Sequence, residues 1–475
     1  MLATATAALL WSCGGNADPD PDPTPAAPKN VTLSATSANV AQAGEEITLD
    51  ITAPARPAVS GAPDWISVRE GIYNSQTYVM TGVKLTVAAN TTYETRTATL
   101  TFKAGTASAT FQVSQAGRTK PADPDNKNLS KSLVTADPTP NAKALFDYFL
   151  GVYGKKTVSS VVADVNWNYK EAEKIHTATG KYPAINCYDF IQIYVPSGNN
   201  WINYNDLTPV TDWYDAGGIV SLMWHFNVPR SESTVIGTDG SGVTCSPSET
   251  TFKASNALVS GTWENKWFYD EMDKVIEVIL KLQEKGIAAT WRPFHEAAGN
   301  ATLKESASWA TSWFWWGADG AETYKKLWKA MFEHFGEKGV RNLIWVWTTQ
   351  NFNGDSSKYN QDKDWYPGDA YVDMVGRDLY GTSSDKNAQE WDEIQKAYPK
   401  KMVCLAECGN AVDNDTKKVT AYFPKLTDVW NAGAYWLSFM PWYGANMPDN
   451  TWWKDAMNSE IIISRDELPS DLFTK

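Results

Sequence analysis

The order of apolar and polar residues divides the chain into two regions of different character. Between residues 30 and 118, short segments alternate apolar and polar positions with a period of two, and Gly, Pro and Asn separate them. This alternation predicts half-buried β-strands, and several short strands in succession predict a small immunoglobulin-like β-sandwich. The predicted strands are VTLSA, EITLDIT, WISV, VKLTVAAN, TATLTFKAG and SATFQVSQAG.

From residue 138 to the end, apolar runs alternate with amphipathic stretches. A first helix is predicted from Ala144, and helical periodicity recurs at 267–286 and 321–339. Eight strands separated by helices predict a (β/α)8 barrel, or TIM barrel, and a doubly wound sheet is the alternative. No G-x-G-x-x-G motif follows the first strand to support that alternative. The predicted barrel strands are 157–164, 182–190, 217–226, 287–296, 342–349, 373–381, 401–409 and 434–444.

The segments outside these two regions have the composition of a leader and of linkers. Residues 14–29 are rich in Pro and Asp and should form an extended tether, and residues 119–137 are a second linker. The predicted division is a leader at 1–13, the tether at 14–29, the β-sandwich at 30–118, the linker at 119–137 and the barrel at 138–475.

The leader is hydrophobic but far shorter than the roughly 20 apolar residues of a membrane span. Leu10 lies three residues before Cys13 and Ser12 directly before it, which resembles a bacterial lipobox. The resemblance implies an exported lipoprotein, anchored in the outer membrane through acylated Cys13 and exposed at the cell surface. An ordinary cleaved leader is the alternative.

Composition restricts the partners. With 42 basic and 55 acidic residues the formal charge is −13, which argues against nucleic acid as a partner. The 23 Trp and 21 Tyr either fill a large core or stack on sugar rings. Beyond Cys13 the four cysteines show no C-x-x-C spacing, so we expect free thiols, and neither a metal nor an organic cofactor is indicated.

Polar residues with catalytic potential close several of the predicted strands. In a (β/α)8 barrel the carboxyl ends of the strands converge on one face, so residues distant in sequence meet there. Two carboxyl groups presented in this way are the requirement for hydrolysis of a glycosidic bond. The residues at these strand ends are His225, Glu296, Asp378, Tyr380 and Glu407.

Four motifs of the second region resemble glycoside hydrolase family 26, whose best-known members are β-mannanases. They are WRPFHE at 291–296, WFWWG at 313–317, WYPGDAYVDMVGRDLYG at 365–381 and LAECGN at 405–410. The resemblance implies that Glu296 is the general acid/base and Glu407 the nucleophile of a retaining enzyme. It also implies that Tyr380 hydrogen-bonds the nucleophile. Further residues expected to contact the sugar are His225, His295, Trp313 and Asp378.

In the first region PDWISV, NTTYETRTATLTF and FQVSQAG resemble the BACON domain, for which a spacer role and a glycan-binding role stay open. Trp436, in the last predicted strand, is a further candidate for sugar contact because strand parity leaves its direction open.

The leading interpretation is a monomeric endo-β-1,4-mannanase. The alternatives are a mannobiose-releasing exo-enzyme, a β-1,3-1,4-glucanase, a β-1,3-xylanase, or a non-catalytic surface glycan-binding protein. The segment 297–312, which separates Glu296 from the Trp motif, is longer than is usual in the family. It leaves the choice between endo and exo action open.

Overall fold

A computed structural model describes residues 26–473, apart from 91, 93, 118–127, 165–166, 196–201, 300–311 and 351–361. The chain forms two compact units, Met1–Thr119 and Lys120–Lys475. The predicted leader with Cys13 and nearly all of the tether lie outside the described residues, as does about half of the predicted linker. Their limits therefore stay predictions.

The described part of the first unit contains nine strands in two sheets. One sheet has the order β1-β3-β7-β5, with β6 also paired to β7, and the other has the order β2-β9-β8-β4. The strands are β1 (Thr32–Leu33), β2 (Ser37–Val40), β3 (Glu45–Thr52), β4 (Ala58–Ser60), β5 (Ile66–Arg69), β6 (Ile72–Asn74), β7 (Val79–Val87), β8 (Arg96–Ala104) and β9 (Ala107–Gln115).

Alternation along these strands builds the core of the sandwich. In β8 the side chains of Leu100 and Phe102 are fully buried while their neighbours are more exposed, and Phe111 and Val113 repeat this in β9. Because successive side chains of a strand point to opposite faces, each sheet turns one apolar face inward. The predicted β-sandwich is confirmed.

In the described residues of the second unit there are the remaining thirteen strands and eight α-helices. The strands are β10 (Thr157–Val162), β11 (Ile185–Asp189), β12 (Ile219–Trp224), β13 (Val228–Pro229), β14 (Val243–Thr244), β15 (Ala289–Pro293), β16 (Leu343–Thr349), β17 (Met374–Tyr380), β18 (Met402–Gly409), β19 (Ala411–Val412), β20 (Val419–Ala421), β21 (Ser438–Pro441) and β22 (Ile462–Ile463). The helices are α1 (Pro140–Val152), α2 (Lys170–Thr179), α3 (Thr208–Asp215), α4 (Trp263–Glu284), α5 (Ala321–Glu337), α6 (Ser384–Ala397), α7 (Leu426–Asn431) and α8 (Asn450–Met457).

Eight of these strands close into a parallel barrel. Their order is β11-β12-β15-β16-β17-β18-β21-β10, and β10 pairs with β11 to complete the ring. Most of their residues are buried, as expected for strands covered by helices outside and by side chains inside. The predicted (β/α)8 barrel and all eight of its strands are confirmed.

The helices begin where capping residues allow. Helix α1 starts at Pro140, four residues before the predicted start, because Thr139 accepts a hydrogen bond from the backbone N–H of Ala142 and Pro140 suits the first helical position. Thr262 caps α4 in the same way through Asn265. Among the described residues no helix combines the length and the apolar character needed to cross a bilayer.

Candidate active site

Glu296 lies in a tight turn just after β15. The strand ends at Pro293, and the turn that follows contains two non-glycine residues with positive φ, Phe294 at 48° and Glu296 at 51°. Such values are uncommon outside glycine and persist only where the surroundings impose them. Here the indole of Trp316 donates a hydrogen bond to the carbonyl of His295 (2.9 Å), and the hydroxyl of Ser312 donates one to the carbonyl of Ala297 (2.6 Å). The peptide groups 295–296 and 297–298, on either side of Glu296 and Ala297, are therefore fixed.

Glu407 lies near the carboxyl end of β18, opposite Asp378 of β17. The pairing of these two strands shifts register between Arg377 and Asp378, which brings Asp378 level with Glu407. Both oxygens of Glu407 accept hydrogen bonds. Oε1 accepts from Nη2 of Arg292 (2.8 Å), and Oε2 accepts from the hydroxyl of Tyr380 (2.6 Å). The carboxylate is thus oriented from two sides.

Arg292 connects the three strands that carry the acids. Its Nη2 also donates to Oδ2 of Asp378 (2.7 Å), and its Nε donates to the hydroxyl of Thr348 at the end of β16 (2.9 Å). The side chains of Arg292, Asp378 and Glu407 are all buried. Burial alone would lower the pKa of Arg292, but the two carboxylates outweigh it and raise the pKa, so the guanidinium keeps its charge.

Glu296 has a different electrostatic environment from Glu407. Burial raises its pKa well above the ordinary value, and the negative charges of Asp378 and Glu407 raise it further, against the opposing effect of Arg292. Burial likewise raises the pKa of the Tyr380 hydroxyl, and Glu407 adds to this effect, so Tyr380 stays a hydrogen-bond donor. The site therefore favours the protonated form of Glu296 beside a glutamate that accepts two hydrogen bonds.

A line of three side chains leads from the end of β11 toward Glu407. Asp189, the last residue of β11, lies 2.5 Å from Nδ1 of His225 through Oδ2. Nε2 of His225 lies 3.1 Å from Nε2 of His295, and that atom is 4.0 Å from Oε1 of Glu407. Three strand ends thus contribute one connected row.

Aromatic rings border the two histidines. Phe314 contacts His225 and His295, with ring centroids 6.0 and 5.5 Å apart, and Trp442 lies 5.9 Å from His225. Trp313, directly before Phe314, is 43% exposed and can present its ring to a ligand.

The structure does not place Trp436 with these residues. Strand β21 begins only at Ser438, four residues later than the apolar run predicted, so Trp436 precedes the strand. Its carbonyl accepts a hydrogen bond from Thr157 at the start of β10, and its side chain is fully buried. Trp436 therefore lies at the amino end of the barrel. Trp442, just beyond the carboxyl end of β21, is the tryptophan of this segment that reaches the site.

The structure thus brings together Glu296, Glu407, His225, His295, Asp378 and Tyr380, and it adds residues that the sequence did not single out as site residues. Asp189 ends its strand in the same manner as the others, so the strand-end rule could have found it. Arg292 lies inside β15, one residue before its end, where a buried cation has no signal of its own in the sequence.

A closed parallel barrel that presents a glutamic acid of raised pKa and a hydrogen-bonded glutamate at the carboxyl ends of its strands defines a glycoside hydrolase of the two-carboxylate type. The family model for glycosyl hydrolase family 26 matches residues 134–459, and the chain belongs to this family. A second family model, BACON, described as a putative binding domain, matches residues 31–116.

Several known proteins are similar to this chain. The mannan endo-1,4-beta-mannosidase of Thermothelomyces thermophilus is 28% identical over 354 residues, covering 72% of this chain and 64% of that protein. Mannan endo-1,4-beta-mannosidase A of a Piromyces species is 29% identical over 360 residues, covering 73% of this chain and 52% of that protein. The chain thus spans between about half and two thirds of the length of these relatives.

Among solved structures, the family 26 domain of an endo-beta-mannanase/endo-beta-glucanase from Prevotella bryantii is similar. It is 58% identical with a TM-score of 0.68, covering 71% of this chain and 99% of that domain. The beta-mannanase from a symbiotic protist of the termite Reticulitermes speratus, solved with a gluco-manno-oligosaccharide, is 30% identical with a TM-score of 0.57. The match covers 72% of this chain and 98% of that one.

Proposed function

We propose that the protein is a retaining endo-β-1,4-mannanase that hydrolyses β-mannan by double displacement. The observation that carries this proposal is the asymmetry of the two glutamates. Burial and neighbouring negative charge keep Glu296 protonated, while Arg292 and Tyr380 orient Glu407 for attack. The mannanase activity of the relatives named above supports mannan as the substrate.

In the first step Glu407 attacks the anomeric carbon and forms a glycosyl ester. The bond from that carbon to the glycosidic oxygen breaks, and Glu296 transfers its proton to the departing oxygen. In the second step Glu296, now a carboxylate, accepts a proton from water as the water attacks the same carbon. Glu407 is released as a carboxylate, and the two displacements together retain the configuration.

The surrounding groups have separate tasks in this reaction. Tyr380 and Arg292 hold the two oxygens of Glu407, so that a lone pair of the nucleophile faces the sugar. Asp378, tied to Arg292, provides a polar contact for a hydroxyl group of the sugar bound beside the nucleophile, and the rings of the two histidines line that position. Trp313 offers an exposed ring for stacking against a sugar face.

Replacement of each glutamate tests the roles separately. Glu296→Ala and Glu407→Ala should each almost abolish hydrolysis of β-1,4-mannan, while circular dichroism and the thermal midpoint show an intact fold. On an activated aryl β-mannoside, whose leaving group departs as a stable anion without a proton, azide should restore turnover in both variants, giving the α-mannosyl azide with Glu407→Ala and the β-mannosyl azide with Glu296→Ala. Glu322→Ala is the matched control, because Glu322 is an exposed glutamate of α5. Near wild-type hydrolysis by either site variant would refute the assignment.

The substrate and the mode of action need a second experiment. One preparation is assayed on mannan, galactomannan, mixed-linkage β-1,3-1,4-glucan and β-1,3-xylan, and the products from mannan are separated over time. Endo action predicts a mixture of oligosaccharide lengths from the first minutes. Mannobiose alone from the start would show exo action instead of endo action. Faster hydrolysis of the mixed-linkage glucan or of the β-1,3-xylan would show that this polymer, and not mannan, is the substrate. Binding without turnover would show a glycan-binding protein.

We also propose that the chain is a monomeric lipoprotein of the outer membrane, on the strength of the lipobox-like segment that ends at Cys13. Metabolic labelling with a fatty acid should mark the wild type and leave Cys13→Ala unlabelled. Protease treatment of whole cells should remove the protein if it faces outward. Size-exclusion chromatography with light scattering tests the monomeric state.

A further inference from the structure

The carboxylate of Asp189 is fully occupied by donors around the end of β11. The side chain is 3% exposed. Oδ1 accepts hydrogen bonds from the backbone N–H groups of His225 (3.0 Å) and Ile191 (3.0 Å). Oδ2 faces Nδ1 of His225 at 2.5 Å. Two backbone donors therefore fix the direction of the carboxylate, and its second oxygen is left for the imidazole.

These contacts determine where the proton of His225 lies. An ionised carboxylate only accepts hydrogen bonds, so Nδ1 of His225 carries a proton. In the neutral ring Nε2 is then an acceptor. Nε2 of His225 and Nε2 of His295 are 3.1 Å apart, so one of them donates a hydrogen bond to the other. Because Nε2 of the neutral His225 is the acceptor, Nε2 of His295 carries the proton and donates it.

The same arrangement leaves Nδ1 of His295 as a bare lone pair. This atom is buried and has no hydrogen-bond partner among the described residues. Burial lowers the pKa of His295 well below its ordinary value, and the charge of Arg292 lowers it further, so the ring stays neutral. A neutral His295 with its proton on Nε2 places an N–H group, and not a lone pair, 4.0 Å from Oε1 of Glu407.

Charged groups from several elements face His225. Burial would lower its pKa, but Asp189 of β11 and Glu407 of β18 outweigh burial and the opposing charge of Arg292, and the pKa lies above the ordinary value. Full protonation of His225 reverses the contact, since Nε2–H then donates to His295 and moves the proton of His295 to its unpartnered Nδ1. The charge of Asp189 therefore decides at which pH the row changes its hydrogen-bond direction.

We propose that Asp189 is a positioning residue, which sets the proton arrangement of the His225–His295 pair and thereby keeps Nε2 of His295, 4.0 Å from Oε1 of the nucleophile Glu407, protonated. The proposal rests on the proposed retaining mechanism, in which Glu407 must keep one orientation. Asp189 acts through the two histidines and contacts neither substrate nor reacting atoms.

Asp189→Asn is a sharp test, because the backbone determines which way the amide lies. The two N–H groups that now reach Oδ1 require the amide oxygen in that place, so the NH₂ group must face Nδ1 of His225. Nδ1 then becomes an acceptor, and the proton of His225 moves to Nε2. His295 in turn presents a lone pair at Nε2. An isosteric change thus reverses both tautomers.

Nuclear magnetic resonance of ¹⁵N-histidine reads the tautomers directly, and the chain has only four histidines to assign. Above the titration of His225, the wild type should show His225 protonated at Nδ1 and His295 at Nε2. Asp189→Asn should show the reverse, together with a lower pKa of His225. Its kcat on mannan should fall by more than about tenfold, since the same exchange at the Asp of a Ser-His-Asp triad lowers kcat by about 10⁴.

Asp273→Asn is the matched control. Asp273 of α4 also pairs with a histidine, His334 of α5, at 2.7 Å, but this pair lies partly exposed on the helices outside the barrel. The control loses the same charge and the same type of hydrogen bond, and it should keep wild-type kcat and unaltered signals of His225 and His295.

Three outcomes would overturn the inference. The first is a wild-type His225 protonated at Nε2 alone, and it can be observed even if the variant does not fold. The second is an Asp189→Asn variant with unchanged tautomers. The third is a variant with reversed tautomers and unchanged kcat. Wild-type protein without mannan hydrolysis would instead overturn the proposed function. An active wild type with an unaltered Asp189→Asn variant would overturn only the role of Asp189.

Discussion

Glu296 and Glu407 are the same type of residue, and only their surroundings give them different chemistry. Glu296 is half-buried near two negative charges, whereas Glu407 accepts hydrogen bonds from a cation and a phenol. A pair of acids in contrasting environments is how one site supplies both a proton donor and a nucleophile at neutral pH.

The alkaline limb of activity should report Glu296. Its acid role needs the proton, and its pKa lies well above the ordinary value, so kcat/KM should persist at neutral pH and fall as the pH rises through that pKa. Asp378→Asn removes one of the negative charges that raise this pKa. The midpoint of the alkaline limb, measured on a soluble manno-oligosaccharide, should therefore move to lower pH. A limb that stays in place or moves upward would contradict the assignment.

Tyr380→Phe tests the orientation of the nucleophile. The change removes only the hydroxyl that donates to Oε2 of Glu407 at 2.6 Å. We expect kcat to fall by about 10- to 100-fold, equivalent to about 1.4 to 2.7 kcal/mol of transition-state stabilisation. KM should change little, and the thermal midpoint should stay within a few degrees. Tyr366→Phe is the control, since the hydroxyl of Tyr366 pairs with exposed Asp369 outside the site.

At the residue scale, the sequence predicted most of the site because strand ends converge in a closed barrel. Glu296, Glu407 and Tyr380 follow from that rule alone. Trp436 does not, because an apolar run shows where a strand can lie but not where its hydrogen bonding begins. The contribution of Asp189 also escaped prediction, since its function depends on the distance to a histidine on the next strand.

At the scale of elements, the shift of register between β17 and β18 is what makes the site compact. It sets Asp378 level with Glu407, so that one guanidinium contacts both. Such an irregularity depends on the pairing of strands and leaves no clear pattern in either strand alone. Strand positions were therefore predictable, whereas their register was not.

The attachment of α6 to β17 should contribute strongly to stability. Glu390 of α6 is buried, and it pairs with Arg377 of β17 at 3.0 Å and with Lys386 at 2.9 Å. Glu390→Ala removes an ionic partner from a buried arginine, so we expect a loss of about 3 kcal/mol in the free energy of unfolding. Chemical denaturation measures this change.

Asp392→Ala is the control on the same helix. Asp392 pairs with Lys396, which is largely exposed, and such pairs contribute less than about 1 kcal/mol. Equal losses in the two variants would show that burial of the Arg377–Glu390 pair is not the cause.

At the scale of the whole molecule, each of the two units has its own buried core. All of the proposed catalytic residues lie in the second unit. A protein of residues 120–475 should therefore fold alone and hydrolyse soluble mannan with a kcat/KM within about twofold of the full chain. Comparison on insoluble mannan then measures the effect of the β-sandwich. Loss of activity on the soluble substrate would show that the barrel needs the sandwich.

The two regions differ already in their sequence pattern, since a period of two changes to alternating strands and helices near residue 138. Closure of the barrel was also predictable, because eight parallel strands with crossover helices leave few other arrangements.

The backbone of Glu296 has a consequence for how this protein can evolve. A left-handed conformation at a non-glycine residue, together with a buried carboxyl group, makes this turn a place where function opposes heat resistance. Glycine at position 296 would relieve the backbone strain and would also remove the acid from its desolvated position. The enzyme would then lack its proton donor. Directed evolution that rewards thermal survival alone should accumulate Glu296→Gly, and simultaneous screening for mannan hydrolysis should eliminate it.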